Sequence, residues 1–532
     1  MQADCTQITY HQTEAFSKIV TDYLDGAEGL RPFYEHPVNL QGIHAAIQAR
    51  RQFSQNRQLL VSELKLQYQN IPVPVKLEQN IESLADGSTF TVTTAHQPNI
   101  FTGPIYFVYK ILHAIKLAAV LSKEFPACKF VPVYYMGSED ADLDELGSIT
   151  VNGRKYTWQT NQTGAVGRMK VDANFIALIL ELNGQLGVEQ FGEELVNIFK
   201  QCYRKGITIQ QATLELVNTL FGAYGLVVLI PDNANLKKAF NPVVEKELRE
   251  GFSHMAVSDT IGALGQNYKV QAGGRELNLF YLLDDKRERL EKDGDKYFVK
   301  SLQLEWTQEE ILNELEENPE RFSGNVILRG AFQETVLPNI AFIGGGGELA
   351  YWLELKKVFK AVAIPYPVLV LRNSFLVMDD QWRRKISAIG FNGSDIFKPE
   401  QELLDIVVER YSDKQFELNG ELSRIEDFYS GIKEMAVRID STLSDHVDAL
   451  KTKTVKRLLQ LEKKMKSAEK RKFAVQLVQI QKLKEALFPN NNLQERVENL
   501  SGFYAKYGSE IVDVLLDNSL SLEQGFCLLT LK

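Results

Sequence analysis

Residues 90–137 read FTVTTAHQPNIFTGPIYFVYKILHAIKLAAVLSKEFPACKFVPVYYMG. A β-prone run from Phe90 stops at His-Gln-Pro-Asn, and an amphipathic, aromatic-rich segment follows a Phe-Thr-Gly-Pro corner. A second apolar run, from Lys129 to Gly137, closes the stretch. Strand, helix and strand in succession predict a β-α-β unit, and a crossover of this length favours parallel strands with a right-handed connection. Two later runs bounded by Gly and Pro, GLVVLIPD from Gly225 and YPVLVLRNS from Tyr366, have the continuous hydrophobicity of further buried parallel strands. The predicted fold class is α/β, a doubly wound parallel core assembled from dispersed pieces.

The rest of the chain sets the bounds. Its 532 residues hold about three domains. With 44% hydrophobic and 24% charged residues it is an ordinary globular composition. A net charge of −9 argues against a nucleic-acid partner, which calls for a basic stripe or domain. The start, MQADCTQITYHQTEAF, lacks the basic and apolar regions of a signal peptide, and the longest apolar runs are too short to cross a bilayer. Cys5, Cys128, Cys202 and Cys527 are scattered without a CxxC, which suits a reducing cytosol and suggests neither a disulfide framework nor a zinc site. The expectation is a cytoplasmic protein with no membrane partner.

Along the chain, the first ninety residues read mostly helical, with RPFYEHP as an interruption. Mixed patterning marks insertions at 151–205 and 258–324, dividing the core into 1–150, 206–257 and 325–400. From Gly431 to Pro489 there is no Gly or Pro, and Ile425, Phe428, Ile432, Met435, Ile439 and Leu443 recur at spacings of three and four. That stripe predicts a coiled coil over 401–490, with a plain helical bundle as the alternative and a break near Asp440 that starts a second, antiparallel helix. Residues 491–532 return to the core.

Ligands of open α/β sheets bind beyond the carboxyl ends of the strands, which selects the candidate residues. His96, Asn99, Thr102 and Gly103 follow the first strand and precede a helix whose free N–H groups would suit phosphate. After the second strand, MGSEDADLDE packs five carboxylates into seven residues. Such crowding raises carboxylate pKa values and is retained for a metal, an amine or proton transfer. Glu139, Asp140 and Asp142 are the catalytic candidates, Asp140 and Asp142 also the candidate metal ligands, and Asp144 and Glu145 are assigned to a helix start. FIGGGGELAYW offers Gly345, Gly346 and Glu348 to wrap a ligand, with a hinge as the alternative reading; it is no Walker A loop, for no Gly-Lys-Ser/Thr follows. Arg372 and Ser374 would bring a cation to the same edge, and Arg275 and Asn278 would reach over it from the second insertion.

Taken together, FTGPIYFVYKILHAIKLA, VPVYYMGSEDADLDEL, RELNLFY, GGGGELAYW and LFPNNNLQER resemble the bacillithiol biosynthesis cysteine-adding enzymes, a family of cysteine ligases, over nearly the whole chain. The resemblance implies a Rossmann-like core akin to class I nucleotidyl transferases, two connecting-peptide insertions, a coiled coil and a homodimer. It also implies the joining of cysteine to the amine of glucosaminyl-malate, the last step of bacillithiol synthesis. ATP and magnesium would supply a cysteinyl-adenylate, with no tightly bound cofactor. His96, Asn99, Thr102 and Gly103 would then cradle phosphates, and Glu139, Asp140 and Asp142 would hold an amine or metal. The chain departs from the family pattern at His96-Gln97-Pro98, where members carry Gly-Gln-Gln, and at Ala141, where they carry histidine. The rival readings are an adenylating ligase for another amine or amino acid, and a non-catalytic coiled-coil scaffold.

Overall fold

The computed structural model describes residues 1–412 and 417–532. Its central sheet holds five strands: β1 (Thr89–His96), β2 (Lys129–Met136), β3 (Val227–Leu229), β4 (Asn339–Gly344) and β5 (Val368–Leu371). All pair in parallel, in the order β5-β4-β1-β2-β3. Every residue of β1 is buried although four of its eight are threonines. Their hydroxyls are satisfied inside the sheet: Thr91 and Thr93 bond one another at 3.1 Å, and Thr94 donates to the Ile343 carbonyl at 2.9 Å. Helix α1 (Tyr106–Glu124) joins β1 to β2, which run in register from Thr89 opposite Lys129 to His96 opposite Met136. Ala114, Leu117, Ala118 and Leu121 share one face of α1 and pack with Phe90, Val92, Phe130, Ile343 and Val370 in a single core cluster.

The chain leaves β1 toward β2 and β3 and returns on its other side as β4 and β5. This reversal opens a crevice past the carboxyl ends of β1 and β4. Helices α2 (Val326–Val336) and α3 (Gly346–Trp352) flank β4 in sequence. β4 is a central strand that the apolar patterning missed, because its run, NIAFIG, is six residues long and merges into glycines.

The corner between β1 and α1 is built by distant residues. Phe101, Thr102 and Gly103 all have positive φ, 48°, 72° and 62°. Asn499 holds them, its Nδ2 donating to the Phe101 carbonyl at 2.8 Å and to the Gly103 carbonyl. The Phe101 N–H donates to the Tyr203 hydroxyl at 3.0 Å, and its ring sits among Phe175, Phe199 and Tyr203. A Cβ on Gly103 would lie 2.6 Å from the Asn99 Cβ, so glycine is required there for space as well as for backbone conformation.

One compact unit comprises 1–378 and 492–532. Within it, the first ninety residues are mostly helical as read, with one addition, a strand, Ala3–Ile8, which pairs antiparallel with Phe526–Leu531; Ser374–Asp379 completes that sheet. Its partner lies at the other end of the sequence, beyond the reach of local patterning. The same pairing corrects the expectation of unpaired cysteines, since Cys5 and Cys527 sit on these adjacent strands with Cα atoms 6.1 Å apart and are joined as a disulfide.

The second unit spans 379–491 and includes the helices Asp380–Ile389 and Glu400–Tyr411. Lys466 and Lys470 pair with Asp405, and Lys484 donates to the Ile396 carbonyl at 2.9 Å. Helices Asn419–Ile439 and Leu443–Lys470 break where Asp440 accepts the Thr442 N–H at 2.9 Å. They lie antiparallel, since Lys433 pairs with Asp448 and Tyr429 with Thr454. The expected stripe is partly open: Ile425 and Ile432 are half-buried, while Phe428 and Met435 are each 60% exposed and Ile439 84%. No described helix is long and apolar enough to cross a membrane.

Candidate active site

Four parallel strands end at one place, and the residues that follow each of them line a cavity of about 460 Å³. β1 delivers His96 and Gln97, β2 delivers Gly137 to Asp140, β4 delivers Gly345 to Glu348, and β5 delivers Arg372. Helix α1 adds Tyr106 and Lys110, four residues apart on one face. The second insertion contributes Phe280, Arg287 and Ser323, α2 contributes its N-cap Asn325 and Arg329, and Glu145 and Arg496 lie on the wall as well.

His96 is buried between the rings of Tyr106 and Phe107, with centroids 5.4 Å and 5.2 Å away, and its Nε2 has no hydrogen-bond partner. Burial, reinforced by the positive charges of Lys110, Arg329 and Arg372, holds its pKa well below the usual value and keeps the ring neutral. Lys110 donates to the Ala95 carbonyl at 2.8 Å and pairs with Glu348, which also accepts the Gly345 N–H at 2.8 Å. The glycine loop is thereby tied to α1. Burial lowers the Lys110 pKa despite that carboxylate. Burial also pushes the Tyr106 hydroxyl up to about 12.

The acidic run divides by role. Glu139 pairs with Lys237 and accepts from the Ser323 hydroxyl at 2.9 Å. Lys237 lies 3.7 Å from Asp232, itself held by Arg168 of the first insertion through two bonds of 2.6 and 2.7 Å. Glu139 therefore anchors both insertions to the sheet edge. Asp140 accepts from the Gln97 side chain at 3.2 Å and from the Asp142 N–H at 3.2 Å, and it faces the cavity. Asp142 instead caps a four-residue helix, accepting the Glu145 N–H at 3.1 Å. Glu145, assigned from the sequence to that helix start, lines the cavity mouth, where desolvation and the charges of Asp142 and Asp140 raise its pKa.

Several expected residues lie outside the cavity lining. Asn99, Thr102 and Gly103 lie in the corner held by Asn499 and do not line this cavity. Asn278 is fully buried, donating to Ser253 at 2.7 Å and accepting from Asn325 at 2.8 Å; it positions Asn325 from behind. Arg275 is exposed and absent from the wall. Ser374 is turned toward Arg372 and Glu495, bonding them at 3.1 and 3.3 Å. Arg372 itself forms a buried ion pair with Glu495 at 2.7 Å and lies 5.0 Å from the Tyr106 ring centre. Among the described residues no three His, Cys, Asp or Glu side chains converge as a metal cage. The carboxylates of Asp140 and Asp142 are engaged by backbone N–H groups rather than by one another.

Lys110, Arg287, Arg329, Tyr351 and Arg496 are among the lining residues that strand-end reasoning missed. Lys110 and Arg496 stand within quoted motifs, FVYKILHA and LQER, and carried a signal of charge next to apolar neighbours. Arg287 and Arg329 lie in ordinary surroundings and were invisible until the fold brought them in.

Residues 1–373 match the family model described as "Bacillithiol biosynthesis BshC, N-terminal Rossmann-like domain", and residues 375–531 match its "C-terminal coiled-coil domain". A Flavobacterium johnsoniae protein named "Putative cysteine ligase BshC" is 39% identical over 534 residues, covering 100% of both chains. Its namesake in Christiangramia forsetii is 36% identical, over 100% of this chain and 99% of that one. The Bacillus cereus namesake is 26% identical over 94% of this chain and 96% of its own. A Rossmann-like sheet with its cavity at the strand ends, a helical C-terminal unit and full-length similarity make this chain a member of the BshC family of bacillithiol biosynthesis.

Proposed function

We propose that the protein is a ligase that joins the carboxyl of cysteine to the amine of glucosaminyl-malate, forming an amide in the last step of bacillithiol synthesis. The observation that carries this reading is the convergence of His96, Asp140, Lys110 and Arg372 on one cavity at the parallel strand ends. A carboxylate is a poor acyl donor, so the reading includes activation by ATP. The cysteine carboxylate attacks the α-phosphorus, pyrophosphate leaves, and a cysteinyl-adenylate forms. The sugar amine then attacks the acyl carbon, AMP departs, and the nitrogen releases a proton.

Asp140, oriented by Gln97, suits the amine and the proton it sheds. Neutral His96, with Nε2 unpartnered, is a second acceptor on the same wall. Lys110 and Arg372, already paired, supply fixed positive potential without mobile counter-charges. Magnesium would enter with the nucleotide, and none of these roles runs through it. The reading places the protein in the cytoplasm as a homodimer. The solvent-open Phe428, Met435 and Ile439 favour that assembly, which sedimentation of the full chain tests by its mass.

Cysteine-dependent exchange of labelled pyrophosphate into ATP tests the intermediate. Exchange that needs cysteine and no sugar supports it; product formation without such exchange removes the adenylate.

A further inference from the structure

The buried cations of the site are compensated, with two exceptions. Lys110 pairs with Glu348, Lys237 with Glu139, and Arg372 with Glu495. Arg287 and Arg329, both half-buried on the cavity wall, form no ion pair among the described residues. The Arg287 guanidinium lies 3.9 Å from the Phe280 ring centre, and its Nε and Nη2 reach the Ser323 hydroxyl at 3.4 and 3.3 Å. Arg329 donates from Nη2 to the Tyr351 hydroxyl at 3.3 Å, while its Nη1 lies beside Gly137, where an added Cβ would come within 3.5 Å of it. The two come from different elements, the strand Lys286–Arg289 and helix α2, and sense each other's charge.

Two guanidiniums held half out of water with no direct ion pair leave N–H donors open toward the cavity, and a ligand anion satisfies them. Planar guanidiniums fixed by a ring and by hydroxyls are preorganised for carboxylate or phosphate oxygens. The neighbours decide between these. Asp140 lies close enough to act electrostatically on both arginines, and Glu139 on Arg287. Such carboxylates repel a polyanionic phosphate chain yet welcome a molecule that carries an ammonium beside its carboxylates.

We propose that Arg287 and Arg329 form the subsite for the acidic appendage of the amine substrate, gripping its carboxylates while its amine points to Asp140. This assignment rests on the amide-ligase reading. It makes the two arginines specificity determinants for a carboxylated amino sugar, separate from the nucleotide.

The test has a binding arm and a kinetic arm, on the full-length protein and the variants Arg287→Gln, Arg329→Gln and Arg329→Lys. Each variant is first required to melt with the parent. By calorimetry, free L-malate binds the parent, each Gln variant weakens it by about tenfold to a hundredfold, and Arg329→Lys recovers part of the loss. Inorganic phosphate at the same concentration does not compete. In kinetics, the Gln variants raise KM for glucosaminyl-malate by a similar factor, and leave KM unchanged for methyl glucosaminide, which lacks carboxylates. Cysteine-dependent pyrophosphate exchange persists in both. Equal binding of phosphate and malate, an unchanged KM for the carboxylated substrate, or loss of exchange in the variants would each overturn the subsite, the last by assigning the arginines to cysteine or the nucleotide. A parent protein with neither exchange nor product would defeat the ligase reading alone, for malate binding would still decide the anion subsite.

Discussion

Replacing Lys237 by methionine is the sharpest probe of how the site is held together. Its ammonium pairs with Glu139, lies 3.7 Å from Asp232, and donates to the Glu320 carbonyl at 2.8 Å. The three charged side chains are only 5%, 14% and 5% exposed, so solvent screens them little. Methionine keeps the stem and deletes the charge, leaving two carboxylates with one fewer counter-ion; Asp232 still has Arg168, while among the described residues Glu139 keeps the Ser323 hydroxyl as its hydrogen-bond partner. Removing one partner from a buried pair costs about 3–5 kcal/mol, chiefly through the stranded charge. The double variant Lys237→Met with Glu139→Gln removes that charge, so a coupling of about 1–3 kcal/mol is expected between the two substitutions. Unfolding of the parent, both single variants and the double variant, followed by urea titration of tryptophan fluorescence, measures it. Additive effects, or a loss under about 1 kcal/mol for Lys237→Met, would refute the assignment of Glu139 as an anchor and return it to the list of catalytic candidates.

Asp140→Asn should melt at or above the parent temperature, since it relieves repulsion among neighbouring carboxylates, and should lose most product formation; full activity would make Asp140 structural. Because the folded-state pKa of His96 lies below its unfolded value near 6.5, the unfolded chain binds the extra proton first, and this group costs stability as pH falls below about 6.5 and nothing above it. His96→Gln should therefore flatten the pH dependence of the melting temperature between about pH 6.5 and 5 while leaving the value at pH 8 little changed; parallel curves would mean His96 is not buried neutral. Asn499→Ala strands the Phe101 and Gly103 carbonyls and should cost about 2–4 kcal/mol in urea unfolding, whereas a cost near zero would show that the corner holds itself.

The β1-α1-β2 unit was legible because its hydrophobic periods are local and its turn residues stand where the chain reverses. The strand Ala3–Ile8 was not, because what makes it a strand is a partner more than five hundred residues on. At the site, residues directly after strands were found: His96, Asp140, Gly345 and Arg372. Asn99, Thr102 and Gly103 satisfied the same rule but lie outside the cavity lining, for a physical reason. Positive φ angles and Asn499 turn that loop into a rigid corner, so its polar atoms face the protein. Arg287 and Arg329 share no motif and meet only through tertiary structure, and an arginine without an ion pair is visible only once its neighbours are known.

Mass-resolved analysis of the complete reaction tests the central claim most directly. With ATP, cysteine and glucosaminyl-malate, the parent protein should yield a product equal in mass to the two joined substrates less one water, with one AMP formed per product, and Asp140→Asn should yield almost none while remaining folded. Product in the absence of ATP, or no product from the intact parent protein, would contradict the account.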